Sequence, residues 1–174
     1  VREYRPEYCG YIFPDTLDAQ PICAGSTLLV RIEAARQVNG FDEDLPRGID
    51  GDFIRRICTE YKVDYVSEML VRYYIEHGQE RITRVDYEGI QDHIHGQKTK
   101  FEKFEEELKN HPKKAANIYA DIGYHHMILS EWKRGIKYYW KAVTTAPFSA
   151  KTYSWILDPI VQHIPNKLTA AYRI

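Results

Sequence analysis

Asp50, Gly51 and Asp52 stand directly before a run of apolar residues at helical spacing, where two carboxylates meet the start of a helix. A carboxylate at such a loop-to-helix junction can take a proton from a hydroxyl held within hydrogen-bond reach. It can equally cap free backbone N–H groups, or pair with Arg55 or Arg56 one turn on. Use of the two as a hydrolytic carboxylate pair is disfavoured, because carboxyls so close on one helix do not flank a scissile bond from opposite sides. The pairs His93/His95 and His125/His126 show no i, i+4 zinc face and are read as carrying no function. Cys9, Cys23 and Cys58 are an odd number without C-x-x-C spacing, which suggests neither a disulfide framework nor a thiolate zinc site. They read as free thiols in a reducing compartment.

The chain that must position these residues has 174 of them, 44% hydrophobic and 28% charged, enough for one ordinary domain or slightly more. With 24 Lys+Arg against 25 Asp+Glu, it lacks the basic excess that nucleic-acid or anionic-membrane binding usually requires. No nucleic-acid partner is expected. No apolar run approaches the roughly 20 residues of a spanning helix, and residues 1–10 carry no signal-peptide pattern. A cytoplasmic protein is expected, with peripheral membrane contact left open. The chain opens on Val1 rather than Met, so a piece of something longer is also expected. The 14 tyrosines suit sugar clefts and helix seams equally well and decide nothing alone.

Two regions are expected, 1–85 and 86–174. In the first, Ser26–Val30 reads as a short strand, and Arg31–Val38 as a helix stopped by Asn39-Gly40. A broken acidic loop over 41–48 follows. The next helix starts at Asp50–Asp52 and presents Phe53, Ile54, Ile57, Cys58 and Tyr61 on one face. Val63–Val66 and Met69–Ile75 are strand-like in their β-branched and aromatic content. The second region opens on one amphipathic helix of about 22 residues whose face is Tyr87, Ile90, Ile94, Gln97, Phe101, Phe104 and Leu108, one of them polar, ending at Asn110-His111-Pro112. Its Lys- and Glu-rich face reads as solvated. Over 116–149, Tyr119, Ile122-Gly123, His126, Gly135, Tyr139, Ala142 and Pro147 fall on a spacing that resembles a tetratricopeptide unit. Tyr153 and Ile156 restart it until Pro159 and Pro165 break it.

Three segments in order carry a second resemblance: Gly25-Ser26-Thr27-Leu28-Leu29-Val30-Arg31, then Asn39-Gly40-Phe41-Asp42-Glu43, then Asp50-Gly51-Asp52-Phe53-Ile54-Arg55-Arg56. With Val63–Val66, Leu70–Tyr74, His77 and Arg81-Ile82-Thr83, they resemble the acceptor-side half of family-two inverting glycosyltransferases of the GT-A fold, over about residues 20–85. The resemblance implies an α/β fold class, a partial Rossmann-like GT-A half followed by an α-helical, tetratricopeptide-like extension. It implies Asp50 as the general base that deprotonates an acceptor hydroxyl, with Asp52, Arg56, Gly25 and Ser26 supporting the acceptor site and His77 as a metal contact. Ile49 departs from the pattern, which usually has Glu or another polar residue before the base. A Mg²⁺ or Mn²⁺ ion, a nucleotide-sugar donor and a glycan or lipid-linked acceptor are implied for the complete enzyme.

The family's metal-binding D-x-D follows a strand in the donor half. No such motif precedes Gly25, and Asp15-Thr16-Leu17-Asp18 has the wrong spacing. Asp50-Gly51-Asp52 spells D-x-D, but its place after G-F-D-E points to the base site. The isolated chain is therefore expected to transfer nothing. The rival expectation is a non-catalytic helical-repeat module that binds a protein partner or a second copy of itself.

Overall fold

The structure, a computed structural model, describes residues 8–19, 25–72 and 86–163. The chain divides into two compact units, residues 1–85 and 86–174. Described residues are 65% helical and contain no strand and no sheet. This overturns the expected α/β class with its Rossmann-like GT-A half.

In the first unit, helix α1 (Phe13–Thr16) is a single turn, Gly25–Thr27 forms a 3₁₀ turn, and α2 spans Ile32–Gln37. Asn39 and Gly40 both take positive φ, and the Gly40 N–H donates to the Ala35 carbonyl at 2.9 Å, closing the end of α2. Helix α3 spans Ile49–Glu60 after Gly48, which caps it in the left-handed conformation. Ile54 and Cys58 of α3 pack with Ile12 in the core, and Phe13, Leu28 and Val63 lean against them.

The segments expected as strands are not strands. Ser26–Val30 begins in the 3₁₀ turn and continues without regular structure, leaving Leu29 97% exposed. Val63–Val66 contributes only an isolated bridge, Gly10 to Val63, with N–H to carbonyl distances of 2.7 and 2.9 Å. Met69–Arg72 is irregular and exposed, and Tyr73–Ile75 lie outside the described residues. The physical reason is that a strand is stabilised by its neighbours. β-branched content describes a residue that fits a half-buried pleated surface, and the described residues supply none.

In the second unit, α4 (Tyr87–Lys103) starts at Asp86, whose Oδ1 accepts from the Gly89 N–H at 2.8 Å. The expected single long helix is broken at Phe104, where φ of −121° separates α4 from α5 (Glu105–Lys109). Phe104 and Leu108 are both buried, as expected of that face, whereas Tyr87 at its start is exposed. Helix α6 (Pro112–Ile128) begins with proline at its first position, where the missing N–H costs nothing. Ser130 at φ 60° turns the chain into α7 (Trp132–Thr145).

Small residues let these two helices approach. Ala116, Ala120, Ala142 and Ala146 form one buried cluster, with Tyr119 against it. A Cβ on Gly123 would stand 2.6 Å from Tyr139 Cδ1 and 3.2 Å from the Gly135 carbonyl oxygen. Helix α8 (Ala150–His163) packs on α6, with Thr152 Oγ1 donating to Asn117 Oδ1 at 3.3 Å. Its backbone continues through Pro159, where the sequence predicts a break. Pro165 lies outside the described residues. No helix among the described residues is long and apolar enough to cross a membrane.

Candidate functional site

The acidic pair at the start of α3 divides into two unlike residues. Asp52 is 4% exposed, and its Oδ2 accepts from Arg56 Nε at 2.8 Å with Nη2 at the same distance. Arg56 Nη1 also donates to the Val38 carbonyl, tying α3 to the end of α2. Phe41, from the G-F-D-E turn, lies 4.4 Å from the Phe53 ring. The Arg56 guanidinium lies over the Phe53 ring, 6.0 Å from its centroid. Asp42 Oδ1 accepts from the Asp44 N–H at 3.0 Å and folds the turn on itself. Arg56 and Asp52 thus hold the loop framework.

Asp50 is half-buried, on the first turn of α3, and its Oδ1 accepts from the Gly51 N–H at 2.8 Å. The helix cap is Gly48, not an aspartate. A Cβ on Gly25 would sit 3.6 Å from Asp50 Cβ and 3.8 Å from Oδ2, so the backbone of the exposed Gly25-Ser26 turn runs beside this carboxylate. Asp50 and Asp52 are two positions apart on a helix, about 200° around its axis, so they do not converge on one cation as a D-x-D pair.

Behind the site, Arg55 donates through Nε to the Thr16 carbonyl at 2.8 Å. Burial pulls its guanidinium down to about 10, against the attraction of Asp52. Burial likewise pushes the Cys58 thiol up to about 11, which keeps it a protonated core residue. His77, the expected metal contact, lies outside the described residues.

A second constellation was missed in the sequence. Helix α4 brings His93 and Gln97, four residues apart, to α6, which carries Asp121 and His125, also four apart. His93 Nε2 lies 2.8 Å from Asp121 Oδ2, and His125 Nδ1 lies 3.2 Å from Asp121 Oδ1 and 2.8 Å from the Asp121 carbonyl oxygen. The two imidazoles are 4.1 Å apart between centroids. Burial alone would raise the Asp121 carboxyl, but hydrogen bonds from His125 and His93 hold it well below the usual carboxylate range. The sequence reading placed no carboxylate in register with these histidines, and the structure puts Asp121 against both. The signal in the sequence is Asp121-x-x-x-His125, a carboxylate and an imidazole on one helical face.

His126 points elsewhere, into the hairpin. It is 2% exposed, 2.6 Å through Nδ1 from Glu131 Oε2, and stacked at 5.5 Å on Tyr138. Burial pushes its imidazole below the ordinary value, opposed by the Glu131 hydrogen bond.

No protein-family model, no curated protein and no solved structure matches the chain.

Proposed function

We propose that residues 25–56 form the acceptor side of an inverting glycosyl-transfer site, with Asp50 as general base and the nucleotide-sugar bound by chain outside these 174 residues. The observation that carries the reading is the meeting of Gly25 with Asp50, 25 positions apart in sequence. It supports a site in which an accessible backbone turn and a half-buried carboxylate share one acceptor. The division of the acidic pair points the same way, because Asp52 is committed to Arg56 while Asp50 faces the turn. An acceptor hydroxyl is too weakly acidic to attack an anomeric carbon unaided. Asp50 takes its proton as the oxygen attacks and the nucleoside diphosphate leaves.

In this reading Mg²⁺ or Mn²⁺ is held mainly by the donor-binding half, where it stabilises the departing diphosphate. The apolar Leu29, Val66, Met69 and Leu70, exposed here, are covered by that half. The free thiols of Cys9 and Cys58 favour a reducing compartment, and the proposal puts the protein in the cytoplasm. The test is nucleoside diphosphate release from a panel of nucleotide-sugars. The full polypeptide that carries this chain is expected to release it in the presence of acceptor, and the 174 residues alone are not. Transfer by the 174 residues alone would contradict the proposal.

One observation favours a second reading, that the helical unit is an interaction module. Trp132, Ile136 and Trp140 recur every four residues along α7 and are all exposed. On that reading the chain self-associates at micromolar concentration, and Trp140→Ser makes it monomeric in sedimentation.

A further inference from the structure

The geometry of α4 and α6 points to a metal site that the glycosyl-transfer reading does not use. We propose that His93, Asp121 and His125 bind one late first-row divalent cation, with Zn²⁺ the preferred ion. One ring nitrogen from each histidine and one Asp121 oxygen lie within 4.8 Å of one another. Ligands about 2.1 Å from a common ion stand about 3.0 Å apart at a right angle and about 3.4 Å apart at the tetrahedral angle. The 2.8 Å separation of His93 Nε2 from Asp121 Oδ2 is close to that spacing. Small rotations of the side chains open the remaining space.

The donor chemistry selects the ion. Two imidazoles and one carboxylate suit Zn²⁺ and its neighbours, whereas Mg²⁺ and Ca²⁺ take oxygen ligands. Each pair is already oriented by its own helix. His125 Nδ1, donating to the carbonyl oxygen one turn back, leaves Nε2 as the lone-pair nitrogen, and such a backbone anchor is what fixes the tautomer of metal-bound histidines.

Gln97 borders the same centre. Its Nε2 lies 3.3 Å from His93 Nε2, the same nitrogen that faces Asp121 at 2.8 Å. One nitrogen cannot give its proton to the carboxylate and accept one from the amide. Gln97 Oε1, meanwhile, is buried with no hydrogen-bond partner. Turning the amide brings that oxygen to His93 Nε2, where it accepts the ring N–H in the empty site or faces a cation held between His93 and Asp121.

The test uses the full 174-residue chain, stripped of metal and carrying serine at Cys9, Cys23 and Cys58 so that thiols do not compete. Titration with Zn²⁺ against a chromophoric chelator is expected to show one equivalent bound with micromolar or tighter affinity. His93→Ala and Asp121→Asn are each expected to weaken it at least tenfold, and His95→Ala to leave it unchanged. Should a variant lose its helical circular dichroism, X-ray absorption of the zinc-loaded parent chain decides instead, with two imidazoles expected around the ion. No uptake, uptake undiminished in both ligand variants that keep their helix, or a shell without imidazole would overturn the proposal and leave the cluster a hydrogen-bonded network.

Discussion

Replacing Asp52 with alanine removes the oxygen that both Nε and Nη2 of Arg56 face at 2.8 Å, in a place nearly closed to water. Losing a buried charge-assisted hydrogen bond and stranding its donor costs about 2 kcal/mol. Asp50→Asn keeps the shape of a half-exposed side chain, and its expected stability change is within about 0.5 kcal/mol. Urea denaturation of the two variants checks this difference, and equal losses would refute the division of roles. His126 gives a pH prediction. Its folded-state affinity for protons lies below that of the unfolded chain, so its contribution is full above the ordinary value of 6.5 and is lost as pH falls. The NMR titration of its ring should have a midpoint below 6.5, and the urea midpoint should decline on acidification through the same range. A ring midpoint above 6.5 would contradict the burial argument.

At the scale of elements, the seam between α6 and α7 makes the sharpest demand. A methyl at Gly123 meets the body of the Tyr139 ring at 2.6 Å, whereas one at Gly135 meets the thioether of Met127 at 2.5 Å. Methionine can turn away and a packed ring cannot. Gly123→Ala is therefore expected to cost about 1–3 kcal/mol despite the better helix propensity of alanine, and Gly135→Ala distinctly less. Urea titration orders them, and the reverse order would be contrary. This seam was legible in the sequence because glycine and alanine at fixed spacing report how closely two backbones come. The strands were misread because Leu28-Leu29-Val30 and Val63–Val66 have the side chains of a sheet without a sheet to join. Phe104 was misread because its spacing from Leu108 fits a continuous helix, and no glycine or proline marks the break at its φ of −121°. The His93 cluster was half legible, since Asp121 and His125 share a face of α6, but the approach of α4 is a matter of packing.

For the whole molecule, the two units differ in where their exposed apolar side chains sit: mainly on irregular segments in the first, and along helix α7 in the second. Residues 86–163 close an alanine and isoleucine core from four long helices and one short one. Expressed alone, 86–174 is expected to be helical and to unfold cooperatively. Residues 1–85 leave Leu29, Val66, Met69 and Leu70 exposed. Expressed alone, they are expected to aggregate, as exposed apolar segments do. Analytical ultracentrifugation distinguishes the two pieces, and a monomeric, stable 1–85 would remove the need for a covering half. The role of Asp50 as general base is measured by the turnover number of Asp50→Asn in the full polypeptide, read as nucleoside diphosphate release at saturating donor and acceptor. A loss of about a hundredfold or more, with helix content unchanged, is expected. Turnover equal to that of the parent would contradict it.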